Sequence, residues 1–139
     1  MKAEGGCYCG GLRYQIDADP MFKGQCHCRE CQYISGGGPN FVMLLPETGF
    51  SYSKGTPKGF SRSDLDTPVT REFCADCGTH ILAKSPAMAG VVIVKVGTLD
   101  DPSIFSPDMA IHMLDKQPFH VLPEGLPALE RGPGSAPAS

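Results

Sequence analysis

The sequence predicts a mainly β domain of short strands with little helix. Three observations predict it. Glycine (17) and proline (13) are over-used, which favours turns and works against long helices. Apolar residues alternate with polar ones in short runs, the period of a half-buried strand. All seven cysteines fall into three close groups, and one of these, Cys74-Ala75-Asp76-Cys77, lies between two strand-like runs.

Taken in order, Gly10-Gly11 makes a turn, Leu12, Tyr14 and Ile16 form a strand, and Asp17-Ala18-Asp19-Pro20 closes it. Arg29 to Ser35 has room for about two helical turns. Ser35-Gly36-Gly37-Gly38-Pro39-Asn40 then ends the helix as a loop; it is no phosphate cradle, because no Lys-Ser/Thr follows. Phe41 to Leu45 is a short buried strand stopped by Pro46. Phe50-Ser51-Tyr52 and Phe60 to Ser63 are shorter, more exposed strands around the turn Lys54-Gly55-Thr56-Pro57. Val69 to Phe73 alternates into Cys74, and Ile81-Leu82-Ala83 leaves beyond Gly78, a residue free to adopt positive φ. Val91 to Val96 is the most hydrophobic strand, Gly97 to Pro102 a turn, and Ala110-Ile111-His112-Met113 the last core strand. Residues 132–139 are Gly, Pro, Ser and Ala only, the composition of a disordered tail. With no linker inside, residues 1–131 read as a single domain.

A chain of 139 residues buries a real but modest core, and it lacks tryptophan. The net charge of −3, with no Lys/Arg-rich run, excludes a general attraction to nucleic acid. The N-terminal Met1 to Gly6 has no apolar stretch of a signal peptide, and Val91 to Val94 is too short to span a membrane. These features place the protein in the reducing cytoplasm, where clustered cysteines bind metal rather than form disulfides. Nothing in the sequence speaks to oligomeric state.

The cysteine groups are Cys7-Tyr8-Cys9, Cys26-His27-Cys28-Arg29-Glu30-Cys31 and Cys74-Ala75-Asp76-Cys77. Thiolates bind zinc tetrahedrally, and short spacings let one turn present two sulfurs to one ion. A closed structural site uses four ligands, while a catalytic zinc keeps three and an open position, so seven cysteines suggest one site of each kind. Two partitions are open. Cys28/Cys31 could join Cys74/Cys77 in a ribbon-like site, leaving Cys7, Cys9 and Cys26. Alternatively Cys7/Cys9 join Cys74/Cys77, and Cys26, Cys28 and Cys31 stay together. Local closure favours the second, since three ligands within six residues need little chain ordering to meet. Strand, metal knuckle, strand around Cys74/Cys77 is the zinc-ribbon-like hairpin arrangement.

The runs Gly6-Cys7-Tyr8-Cys9-Gly10-Gly11, Cys26-His27-Cys28-Arg29-Glu30-Cys31 and Phe73-Cys74-Ala75-Asp76-Cys77-Gly78 resemble the glutathione-dependent formaldehyde-activating enzyme family. So do Gly97 to Pro102 and the ending with His112, Lys116 and Gly125-Leu126-Pro127; the likeness covers residues 5 to 130. It implies sheets of the β-tent type, a structural zinc on Cys7, Cys9, Cys74 and Cys77, and a second zinc on Cys26, Cys28 and Cys31 open to substrate. That is two zinc ions per chain, the second site open to partial occupancy. The implied activity is a carbon–sulfur lyase running in reverse, condensing glutathione with formaldehyde to S-hydroxymethylglutathione. The loop after Cys31 is longer than the family's usual Gly-small-small-Phe run, and Phe119 stands where Trp is common.

Three anionic ligands weaken a zinc ion as a Lewis acid, which favours binding of substrate sulfur over polarisation of the aldehyde. Lys23, Arg29, Arg62 and Lys84 are candidates for the carboxylates of glutathione, against a plain role as surface charges. His27 is a neighbour of the ligands or a proton shuttle if it points inward, and an exposed residue if it points away. His80 reads as structural, His112 as a core histidine or a pocket residue, and Glu30 as a base or an exposed acid. The alternative functions are a non-catalytic zinc-binding interaction module, which would carry an exposed apolar patch, and a thiol carrier. Methionine sulfoxide reductase chemistry is set aside, because no cysteine lies outside the three groups.

Overall fold

The alternation around Tyr14 is used as the sequence suggests. In the computed structural model, which describes residues 1–139, Tyr14 and Ile16 are buried while Gln15 and Asp17 face solvent. They belong to β2 (Arg13–Asp17), which pairs antiparallel with β1 (Lys2–Gly6) on one side and with β5 (Phe50–Lys54) on the other. Tyr14 stacks on Phe50 at 4.9 Å between ring centroids, and its hydroxyl shares a 2.8 Å hydrogen bond with that of Thr98. A buried ring with a satisfied hydroxyl gives area without an orphaned polar group.

The chain divides into two compact units, Met1–Met21 with Met43–Ile104, and Phe22–Val42 with Phe105–Ser139. Besides the sheet around Tyr14, the first contains an antiparallel run: β6 (Lys58–Phe60), β7 (Thr70–Phe73), β8 (His80–Lys84) and β9 (Val91–Lys95). Its core is aliphatic: Met43, Leu45, Ile81, Leu82, Val92 and Val94 are all fully buried. In the second unit, β3 (Phe22–Cys26) runs parallel to β10 (Met109–Ile111), with Cys26 opposite Ile111, and α1 (Arg29–Ser35) follows β3 closely. β4 (Asn40–Pro46) starts in the second unit and ends in the first. Residues after β10 fold back along it: Leu129 N–H donates to Ala110 O at 2.9 Å and Met113 N–H to Leu129 O at 3.1 Å. The last residues, which have no apolar anchor, contribute backbone contacts, with Ala138 N–H donating to Ala128 O at 2.9 Å.

The fold is therefore mainly β with a single α-helix, as expected, and α1 covers the expected residues. Its differences from the expectation are local. β1 and β3 were not foreseen; β6 lies at 58–60 rather than 60–63; Val96 leaves the strand for a 3-10 turn, Val96–Thr98. His112 is not a strand residue. It takes a left-handed conformation (φ 57°, ψ 43°) that ends β10 and starts the 3-10 turn Met113–Asp115. No helix is long and apolar enough to cross a membrane.

Candidate metal centres

The β7–β8 hairpin presents the first group of sulfurs. Its turn is closed by Cys74 N–H to Thr79 O and Gly78 N–H to Cys74 O, both at 2.9 Å. Gly78 has φ +77°, a conformation that costs a residue with a Cβ and costs glycine nothing. Cys7 and Cys9 occupy the turn between β1 and β2, held by Cys7 N–H to Leu12 O at 3.1 Å. The two turns are joined directly, because Tyr8 N–H donates to Thr79 Oγ1 at 3.1 Å.

The sulfurs of Cys7, Cys9, Cys74 and Cys77 all lie within 4.8 Å of one another. Cys7 and Cys9 are 3.6 Å apart, and Cys9 and Cys74 are 3.8 Å apart. Sulfurs at 2.3 Å from a tetrahedral centre stand about 3.8 Å from each other, so the set fits a four-thiolate ion. Their protons tell the same story. Thr79, through its hydroxyl and backbone N–H, draws the Cys77 thiol down to about 5. For Cys7 burial acts upward, but the Leu12 N–H and neighbouring thiols outweigh it and its pKa is lowered. For Cys9 the Gly11 backbone acts downward, yet Cys7, Cys77 and Cys74 together push it up to about 12. Four adjacent thiols cannot all ionise unless a cation shares the space.

The second group lies where β3 gives way to α1. Cys26 ends the strand, and Cys28 caps the helix, its Sγ accepting the Cys31 N–H at 3.3 Å. The sulfurs of Cys26, Cys28 and Cys31 are also mutually within 4.8 Å. Cys26 and Cys31 are buried with Ile111, flanked by Phe22, Met109 and Leu129. The thiols of Cys28 and Cys31, and then burial, raise the Cys26 thiol far above its ordinary range. Here too the donor set needs a cation before all three can be thiolates, and three sulfurs leave a tetrahedral ion one position short. Each group could hold a metal ion. The structure keeps Cys28 and Cys31 with Cys26, one of the two partitions that spacing allowed.

His27 points inward and is fully buried. His120 Nε2 donates to Gly37 O at 2.7 Å, and its Nδ1 accepts from Gln117 N–H at 3.1 Å. His27 Nδ1 must therefore donate to His120 Nδ1 (3.1 Å), while its Nε2 accepts from Gln25 Nε2 (3.1 Å). Burial, with His120 and Lys116 adding to it, lowers the pKa of His27 to about 4, so the ring is neutral at physiological pH. Gln32, also buried, fixes the same turn. Its amide donates at 2.8 Å to both His27 O and Asp115 O, and its carbonyl accepts from Gln117 Nε2 at 3.1 Å and from Arg29. Asn40 Nδ2 donates to Cys31 Sγ at 3.7 Å.

Gln25, Gln32, Asn40 and His120 escape the sequence reading. Polar residues without metal-ligand spacing look like surface, and their pairing with backbone, sulfur and the His27 ring is what lets them be buried. Of the candidate cations, Lys23 (3.9 Å from Asp108) and Arg29 (over the Tyr33 ring at 5.0 Å) belong to the unit of the sulfur trio. Arg62 pairs with Asp64, and Lys84 with Glu47 and Glu72, in the other unit. Glu30 is exposed. His80 stacks on Phe73 with centroids 5.4 Å apart, and its buried Nδ1 has no hydrogen-bond partner. His112 is half-buried at the end of β10.

A family model described as glutathione-dependent formaldehyde-activating enzyme matches residues 2–115. No curated protein matches the chain. Among solved structures, the fold is similar to a crystal structure of a Rhodobacter sphaeroides protein that was a Northeast Structural Genomics target. The TM-score is 0.59 at 15% sequence identity, over 70% of this chain and 87% of that one.

Proposed function

Because the chain belongs to the glutathione-dependent formaldehyde-activating enzyme family, we propose that it is a zinc-dependent enzyme of the carbon–sulfur lyase type. Its reaction joins glutathione, or another thiol, to formaldehyde or a related aldehyde as an S-hydroxymethyl adduct. Cys7, Cys9, Cys74 and Cys77 hold a structural zinc, and Cys26, Cys28 and Cys31 hold a second whose occupancy can be partial. Residues 1–131 act as one domain of a cytoplasmic protein, with 132–139 as its tail. The observation that carries the reading is the second group itself, three sulfurs within 4.8 Å where a closed site has four.

Zinc bound there would supply positive charge that lowers the pKa of a thiol and a soft site for its sulfur. The reaction adds S–H across C=O: a sulfur lone pair makes the S–C bond, the carbonyl π pair moves to oxygen, and that oxygen takes up a proton to replace the one the thiol gave. The chain's own residues set the geometry. Cys31 N–H and Asn40 hold two of the sulfurs, Gln32 and His27 fix the turn between them, and Phe22, Met109 and Leu129 keep water from their flank. Of the four candidate cations, Lys23 and Arg29 lie in that unit and would meet the glutathione carboxylates.

Uncatalysed addition of thiols to formaldehyde is quick, so product formation proves nothing. The test is the exchange rate between free and adducted glutathione, read by NMR with and without protein. The expected result is acceleration that disappears in Cys28→Ser. The absence of both acceleration and glutathione binding at millimolar thiol would contradict the proposal.

One observation favours a second reading, an interaction module or thiol carrier. A cleft of about 680 Å³ in the second unit is lined by Pro39, Phe41, Pro107, Phe119 and Val121. Phe119 is 68% and Val121 87% exposed. Calorimetric binding of glutathione without faster exchange would favour the carrier.

A further inference from the structure

We propose that Asn40 is a positioning residue that sets how readily the second centre accepts an anionic thiolate; the inference rests on the function proposed above. Asn40 is the first residue of β4 and follows directly on the Gly36–Pro39 loop. Its side chain is not a surface amide. The residue is 6% exposed, and its Nδ2 points at Cys31 Sγ from 3.7 Å. A buried amide without partners is costly, so this direction is held by the fold rather than sampled.

The charge count gives the contact a purpose. Three thiolates around a divalent ion carry one net negative charge, and a fourth thiolate makes two. An N–H donor aimed at a thiolate withdraws electron density from the sulfur and offsets part of that repulsion. Cys28 receives such a bond from the Cys31 backbone, which no side-chain substitution removes. Asn40 supplies the corresponding bond to Cys31 from a side chain. It can therefore be removed by substitution, and the loop that leads into β4 is what delivers it.

The protein would be loaded with cobalt(II) as a spectroscopic substitute for zinc and titrated with glutathione, wild type beside Asn40→Leu. Leucine keeps the volume and removes the donor. The expected result is a thiolate-to-cobalt charge-transfer band moved to longer wavelength in the variant, with cobalt content unchanged and the glutathione dissociation constant raised about tenfold. Asn40→Ser, too short to reach Cys31, is read in the same way if the leucine variant does not fold. An unchanged band and unchanged affinity would overturn the role of Asn40 while leaving the proposed function intact. If wild-type protein binds no thiol, the proposed function falls, and the band position alone then decides whether Asn40 donates to the centre.

Discussion

Cys74→Ser is expected to give insoluble or molten protein. Cys74 is buried in the β7–β8 turn, and its sulfur lies 3.8 Å from that of Cys9, 65 residues earlier in the chain. An ion held by the four sulfurs ties the N-terminal turn to the central hairpin, a closure that local chain preferences do not make. Structural zinc contributes about 10 kcal/mol or more to the folding of small domains. The whole stability of a domain is about 5–15 kcal/mol, so losing this centre removes most or all of it. The measurement is thermal unfolding followed by circular dichroism, beside solubility on expression. An unfolding curve superimposable on that of the wild type would refute the structural role.

Cys28→Ser is expected to behave in the opposite way. It should lose the second metal, with content falling from about two zinc ions per chain to about one, yet keep a near-normal circular dichroism spectrum. The three sulfurs come from one short turn, so losing their ion frees little chain. Serine is itself a favoured N-cap, and α1 keeps an acceptor in place of Cys28 Sγ. The remaining Cys26 and Cys31, buried with Ile111, can stay as neutral thiols, which pack as small apolar groups. The destabilisation should be about 1 kcal/mol, the cost of one exchanged hydrogen-bond acceptor. Outright unfolding would mean that the trio, not only the quartet, holds the fold together.

The grouping of the sulfurs was legible only in part, because spacing left two partitions open and local chain closure favoured the one in which Cys26, Cys28 and Cys31 stay together. α1 was visible too, with a break at Ser35-Gly36 that its cap reproduces. β1 and β3 were not. β1 reads Lys-Ala-Glu-Gly-Gly, with no apolar alternation, and Gly5 is there because a Cβ would collide with Tyr14 and the Thr98 carbonyl. β3 reads Phe-Lys-Gly-Gln-Cys and pairs with a strand more than eighty residues later, as in Gly24 opposite Met109. Such pairing is a property of tertiary contact, and no local pattern encodes it. The polar groups behind the trio were hidden for a related reason. Gln32 is identified by its partners, two backbone carbonyls far apart in sequence, rather than by its own type. His27 was legible as a candidate; its partner His120, 93 residues away, was not.

The central claim is that the seven cysteines make two zinc centres of different kinds. Anomalous scattering at the zinc edge, from crystals grown after the protein has been supplied with zinc and freed of loosely held metal, tests it most directly. The expected map has two peaks per chain. One lies among the sulfurs of Cys7, Cys9, Cys74 and Cys77, the other among those of Cys26, Cys28 and Cys31 with a non-protein ligand completing it. A single peak, or a second peak away from Cys26, Cys28 and Cys31, would contradict the account.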